Sequence, residues 1–379
     1  MTRHPRLPWL MGMALLWAGL SLFLAGCSAA ATPGPAPAQP GYLLAGANST
    51  EAFSSNQLAL FDASRLNAPA STPLTPEATV KLPAARVRRL QRTADGRLWL
   101  GLSGDFNQDD ERVLVYSAEG QLLKTLRPCT NPDAGIHPIG TRILIVCSED
   151  GFHGRVVALD SQSYAPLGEV ALSLPDAPAL LVGSGADDTY LLVTAMTTGP
   201  DPQRSYAHLF VIEAATLELR TSLPLGPDTD VWTILPASGR FYLLNAASAR
   251  ASASPRPDLL VIDPGTWQVE ARALPLASPL WGAIRGSVLY AYHHPGWNTT
   301  QPQAWRGLSR VDMATWQGES WPLPDGFNAG DLSVWNARPC LTFADAWAPP
   351  SEHGLYCLND QGTLTLRVTL ADASGIWLP

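Results

Sequence analysis

At 379 residues, with 33 acidic against 25 basic side chains and a net charge of −8, the chain lacks the electrostatic footprint of a nucleic-acid binder. Only Lys81 and Lys124 are lysines, and no basic patch interleaves with aromatics, so nucleic acid is excluded as a partner. Hydrophobic residues make up 46%, enough to bury a large core.

Arg3 and Arg6 precede an apolar run over residues 7–24, which ends at Leu24-Ala25-Gly26-Cys27. This is the pattern of an export leader, for which a plain secretory signal or a single membrane anchor is the simpler reading. The small residues before Cys27 resemble the bacterial lipobox, in which the Cys is lipidated, with palmitate-type acylation, and becomes the mature N-terminus. Ser28 follows, and not the Asp that such resemblance would link to inner-membrane retention. Residues 28–40, rich in Ala and Pro, read as an extended tether. No other stretch is long and apolar enough to span a bilayer. The expected address is the bacterial cell envelope, with the protein anchored by lipid and facing the periplasm or the cell surface.

The remainder, 41–379, is long enough for two domains but reads as one repeating architecture. It opens on an apolar strand at 41–46 with no partner strand before it. Leu60-Phe61-Asp62 is a strand closed by an acid, leading on to Leu82-Pro83. The stretches 87–92 and 97–102, joined at Thr93-Ala94-Asp95-Gly96, form a second kind of hairpin. Its second strand is apolar on both sides of the alternation, as a sheet covered on both faces requires. The acid-closed turn recurs at 115–120, at 157–160 before Leu174-Pro175, and at 211–217 before Leu223-Pro224. The clearest copy is Leu259-Leu260-Val261-Ile262-Asp263-Pro264-Gly265-Thr266-Trp267, and later copies lie at 310–316 and 356–362. The second hairpin recurs at 232–244 and 281–292. In each turn the closing Asp, Asn or Ser can bond the backbone two residues on, with Gly or small residues taking the unusual torsions.

Seven copies, spaced by roughly 43 to 55 residues, predict a repeat fold with several strands per unit. The class is all-β: a β-propeller of seven four-stranded antiparallel blades around a channel. Six or eight blades would follow from one misassigned irregular unit. The last strand, within 371–379, is expected to pair with the unpartnered first strand and close the first blade.

Besides Cys27, four cysteines allow three pairings. Cys129 and Cys147 fall at the ends of one hairpin, and Cys340 and Cys357 near cross-strand register. Disulfides Cys129–Cys147 and Cys340–Cys357 are expected, in keeping with an oxidising compartment. Zinc is the rival, but CxxC and His spacing are lacking.

Function is expected on the face carrying the long loops between second and third strands of each blade. There, His293, His294, Trp297 and Trp305 could bind a sugar, an aromatic ligand or a protein. The alternative is a loop that packs its own aromatics. Asp228, Asp230, Asp325, Asp331 and Asp372 precede strand-forming tryptophans near the channel mouth, with Asp133 and Asp176 in comparable turns. If they converge they would make an acidic funnel for a cation, whereas Asp also simply favours turns. The tryptophans of the first strands are assigned to packing between blades. No GxSxG elbow, P-loop, GxGxxG or HExxH occurs.

The strand-Asp-x-x-Thr-aromatic-strand-Leu-Pro unit, best at 261–276, 310–323 and 211–225, resembles YVTN-type and quinoprotein-like propeller repeats of bacterial surface and periplasmic proteins. Quinoprotein dehydrogenases would carry Gly-Lys-x-x-Trp after the Thr. Here Trp267 and Trp316 follow Thr directly and no Gly-Lys occurs. In layout the chain resembles envelope lipoproteins whose propellers act as assembly scaffolds. The resemblance implies a lipid-anchored binding or scaffold module, more a binder than an enzyme, for envelope proteins or a small ligand. The alternative is a lactonase-like propeller hydrolase with a divalent cation held by carboxylates at the channel. No other cofactor is expected.

Overall fold

The computed structural model describes residues 39–45, 56–67, 72–83, 86–103, 109–132, 134–150, 152–175, 177–251, 254–294, 306–324, 326–344 and 348–379. Cys27, Trp297, Trp305, Asp133, Asp176 and Asp325 lie outside the described residues. Among those described, no helix is long and apolar enough to cross a membrane.

The chain forms seven four-stranded antiparallel sheets, the blades of a propeller. Blade 1 contains β1 (Pro40–Ala45), β2 (Gln57–Asp62) and β3 (Ala78–Lys81). Blade 2 is β4 (Arg86–Arg92), β5 (Leu98–Ser103), β6 (Val113–Tyr116) and β7 (Leu122–Leu126). Blade 3 is β8 (Gly135–Ile139), β9 (Arg142–Ser148), β10 (His153–Asp160) and β11 (Pro166–Ser173). Blade 4 is β12 (Leu180–Ala186), β13 (Tyr190–Thr197), β14 (Tyr206–Glu213) and β15 (Leu219–Pro227). Blade 5 is β16 (Val231–Ala237), β17 (Arg240–Asn245), β18 (Leu259–Asp263) and β19 (Gln268–Arg272). Blade 6 is β20 (Pro279–Arg285), β21 (Val288–His293), β22 (Gly307–Asp312) and β23 (Gly318–Pro322). Blade 7 is β24 (Ala329–Trp335), β25 (Arg338–Phe343), β26 (Gly354–Leu358) and β27 (Leu364–Thr369).

The final strand, β28 (Ala373–Trp377), completes blade 1, pairing Tyr42 with Trp377, Leu43 with Ile376 and Leu44 with Gly375. The expected closure through the C-terminus is therefore present. The inner strands touch in the cyclic order β28, β4, β8, β12, β16, β20, β24 and back to β28. Blades 4 and 5 are additionally joined by a parallel bridge, Ser184 to Thr233.

The core is divided into seven apolar layers, one between each pair of neighbouring blades. This explains the continuous apolar runs of the second strands, whose alternate residues face two different layers. On β5, Leu98, Leu100 and Leu102 face blade 1 while Trp99 faces blade 3. On β9, Ile143, Ile145 and Cys147 face blade 2 while Leu144 and Val146 face blade 4. Full burial of each such side chain contributes roughly 1.5–3 kcal/mol.

The repeat turns form as their acids predict. Asp263 Oδ1 accepts the Gly265 N–H at 2.8 Å, and Asp312 Oδ1 that of Ala314 at 2.8 Å. Glycine takes the unusual torsion as expected at Gly96, Gly120 and Gly362, but in four other turns a larger residue does, with φ of 62°, 62°, 56° and 59° at Tyr164, Leu217, Trp267 and Trp316. Each is the fifth residue of its turn, and its N–H returns to the carbonyl of the first, at 2.7 Å for Trp267 to Asp263. The left-handed strain is offset where the bulky ring packs onward. Trp267 meets Tyr190 of blade 4 edge-on at 5.0 Å, and the Arg272 guanidinium sits 4.8 Å from the Trp316 ring.

Both expected disulfides are present. Cys340 and Cys357 face each other across β25 and β26 with Cα atoms 4.0 Å apart. Cys147 joins Cys129, Cα–Cα 6.2 Å, but Cys129 precedes β8 and does not begin it. Two disulfides in one chain fit an extracytoplasmic compartment.

Candidate functional site

Six of the seven inner strands carry a bulge in their pairing, as between Val231 and Thr233, Pro279 and Trp281, or Ala329 and Leu332. A bulge sharpens local twist and re-aims side chains. Here it occurs on strands that face the propeller axis. The seven inner strands together line a cavity of about 230 Å³.

The cavity wall includes Gln91, His137, Ser184, Trp232, Thr233, Trp281, Asp331 and Trp377. Most polar atoms there are held by neighbouring blades. Ser184 Oγ donates to Ala134 O at 2.7 Å, which spends its one proton. His137 Nε2, also 2.7 Å from that oxygen, must then be the donor between them. A Cβ on Gly135 would lie 1.8 Å from Ser184 Oγ, so only glycine admits this contact. Thr233 Oγ1 donates to Leu280 O at 2.8 Å, and Trp281 Nε1 to Ala329 O at 3.0 Å. Asp331 accepts the N–H groups of Leu332 at 2.8 Å and Ile376 at 3.1 Å.

The acids expected at the channel mouth do not converge. Of those described, Asp331 alone lines the cavity. Asp228 is buried with φ of 54° and pairs with Arg204, Nε to Oδ1 3.0 Å. Asp230 bonds the Trp232 side chain, and burial pushes its carboxyl above the ordinary range. Asp372 sits beside His353, whose Nδ1 accepts the Asp372 N–H at 3.2 Å. The separation follows from blade geometry, each acid serving its own connection between blades. Among the described residues, no three His, Cys, Asp or Glu side chains gather as a metal site would need.

His293 is also placed differently from the expectation of a surface ligand. It ends β21 with no exposed surface, its Nδ1 3.0 Å from Ala277 O and Nε2 2.6 Å from Ser309 Oγ. Burial pushes its pKa down to about 3. His294 is half-buried, with Nε2 3.3 Å from Asn328 Oδ1, and burial lowers its pKa too. The strand tryptophans also divide. Trp335 is buried between blades 7 and 1, donating to Asn67 Oδ1 at 3.1 Å, as expected. Trp281 and Trp377 pack against the layers between blades 6 and 7 and between blades 1 and 2, as expected, and together with Trp232 they also line the cavity. The signal for them was present as Trp on successive first strands, but it does not distinguish an axial wall from a layer between blades.

No protein-family model and no curated protein matches this sequence. Its fold is similar to that of a Bacteroides fragilis protein described as a 6-phosphogluconolactonase, with 14% identity and TM-score 0.59 over 92% of this chain and all of that one. A Bacteroides uniformis protein so described gives 12% identity and TM-score 0.59, covering 90% of this chain and 99% of that one. Apo AztD from Citrobacter koseri gives 13% identity and TM-score 0.52, covering 89% and 96%. These likenesses establish the propeller fold.

Proposed function

We propose that the chain is a lipid-anchored propeller of the bacterial cell envelope that works as a binding module. Cys27 carries the lipid, and residues 28–40 hold the ring clear of the membrane. The carrying observation is the axial cavity of about 230 Å³, to which all seven inner strands contribute. Its side chains are fixed by contacts between blades, which lowers the ordering cost of receiving a ligand. The two disulfides support the extracytoplasmic placement.

The test uses full-length protein and Trp281→Ala, each incubated with envelope extract and read by native mass spectrometry. A retained mass increment lost in the variant supports the reading, and identical spectra for both would overturn it. Fractionation of Cys27→Ala checks the anchor. Release from membranes is expected, and retention would reject lipidation.

A hydrolase reading has one observation in its favour, the His137–Ser184 contact on the cavity wall. Two similar folds are described as 6-phosphogluconolactonases. In this chain, Ser184 spends its proton on Ala134 O, and Asp331 is the one carboxylate among the described lining residues, so the binding reading is favoured. Release of acid from added 6-phosphogluconolactone above the uncatalysed rate would reverse that preference.

A further inference from the structure

Among the described residues seven large hydrophobic side chains are exposed, and five of them, Leu122, Leu123, Leu167, Leu219 and Val269, lie on the outer strands of blades 2 to 5. Single exposed apolar residues are ordinary on any surface, but repetition at one position of a repeat is not. Leu122 stands opposite Tyr116, Leu219 opposite Ile212 and Val269 opposite Ile262, in each case the residue just before the one that opens the turn into the outer strand. Leu167 holds the same place in the bulge beside Leu159, which precedes Asp160. The exposures of Leu122, Leu167, Leu219 and Val269 are alike, at 50%, 48%, 45% and 42%. The four therefore sit at one level of the ring, next to its short turns. Blade 6 has Gly318 at this place and blade 7 the half-buried Leu364, so the series is confined to blades 2 to 5.

The chain enters the ring at the same level. Pro40 pairs with Asp62, the acid that closes β2, and Gln39 O accepts the Ala63 N–H at 2.8 Å. Asp62 occupies in blade 1 the place that Asp263 occupies in blade 5. The entry point is thus on the turn side, in the blade that adjoins blade 2 through β28 and β4. Gln39 lies twelve residues after Cys27, a reach of at most about 43 Å. With the lipid in a bilayer, the turn side is the side kept near it, at an effective concentration on the order of millimolar.

A protein partner would require one continuous apolar patch, whereas these side chains are spread over four of the seven blades. A bilayer is fluid and receives separated points together, each burying its methyl groups at the boundary of head group and acyl chain. Glu119, Asp160, Glu213 and Asp263 in the adjoining turns oppose an anionic surface, which leaves a zwitterionic one. We infer that the turn-side rim of blades 2 to 5 docks on a zwitterionic lipid surface through Leu122, Leu167, Leu219 and Val269, the ring leaning on the membrane from the tether that otherwise holds it clear. This rests on the lipid-anchored reading and adds a second contact with the same membrane.

The experiment places full-length lipidated protein in phosphatidylcholine vesicles doped with a phosphatidylcholine that carries a photoactivatable diazirine near the head of its acyl chain. Adducts are mapped by peptide mass spectrometry. They are expected on the N-terminal peptide and on the peptides of β7, β11, β15 and β19. Leu122→Asp/Leu167→Asp/Leu219→Asp/Val269→Asp should reduce the rim adducts at least about fivefold and leave the N-terminal adduct unchanged. Circular dichroism checks that this variant folds, and the distribution of adducts on wild type decides without it. Salt at about 0.5 M should leave the rim adducts within about twofold, and adding anionic phosphatidylglycerol should not raise them. Adducts spread evenly over the ring, rim cross-links to a second copy of the chain, or a rim yield that rises with anionic lipid would each overturn the inference. An N-terminal adduct without rim adducts rejects the docking and leaves the anchor standing. The absence of both rejects both.

Discussion

The carboxylate of Asp331, on the inner strand of blade 7, accepts the backbone N–H of Ile376, on the strand that completes blade 1, at 3.1 Å. One side chain therefore ties the last blade to the first at the cavity wall. Asp331→Ala leaves the Ile376 N–H unsatisfied at a cost of about 1–3 kcal/mol. A melting temperature several degrees below wild type is expected by calorimetry. Asn, which keeps an acceptor, should lose less. Coincident melting of wild type and Asp331→Ala would show that the tie contributes nothing.

Removing residues 372–379 deletes β28, exposes the edge of β1, and strips Ala373, Ile376 and Leu378 from the layer between blades 7 and 1. Large core truncations cost about 2–5 kcal/mol each, and an uncovered strand edge promotes association. The truncated chain should be aggregated, or melt far below wild type, in size-exclusion and thermal measurements. An unchanged profile would rule out a closing role.

His293 supplies a prediction for acid. Its folded pKa, about 3, lies below the ordinary 6.5, so the unfolded chain takes up a proton that the folded chain refuses. Its contribution is complete above about pH 6.5 and is lost as pH falls toward 3. Urea midpoints should therefore decline across that window, with a smaller decline in His293→Gln. Parallel curves for the two proteins would assign the acid sensitivity elsewhere.

Cys340–Cys357 closes a loop of sequence separation 17. In the chain-entropy account a loop of this size contributes about 3 kcal/mol. Cys340→Ser/Cys357→Ser should lower the unfolding free energy by about that amount in urea titration, and reduction of wild type, which also opens Cys129–Cys147, should lower it further. A double variant as stable as the oxidised protein would contradict the account.

Blade number, closure and both disulfides were legible because they rest on periodicity and spacing. The double-sided apolar pattern of strands such as β5 and β9 follows directly from layers on both faces. His293 was misplaced because an imidazole at the end of β21 was assigned to the loop. Its register partners, Pro279 and Gly307, place it inside the sheet. The bulges that turn Trp232 and Trp281 to the axis leave no mark in composition, since any residue can occupy them. The separation of Asp228, Asp230 and Asp372 was equally hidden, because an Asp at a turn looks the same whether it faces the axis or a neighbouring Arg or His.

The pairing of β28 with β1 also sets a timetable. Ser374 Oγ reaches Leu44 O across 330 positions of chain, close to the greatest separation this fold contains. During synthesis from the N-terminus the first blade waits, three strands wide, until β28 has been added. Contacts so remote in sequence form slowly, because loop closure must be met before they return any stability. Blades 2 to 7 can each assemble from a single continuous segment, so the ring is nearly complete before it can lock. A circular permutant that joins β28 to β1 by a short loop and opens another connection would turn this late encounter into a local hairpin, and it should refold faster at similar stability.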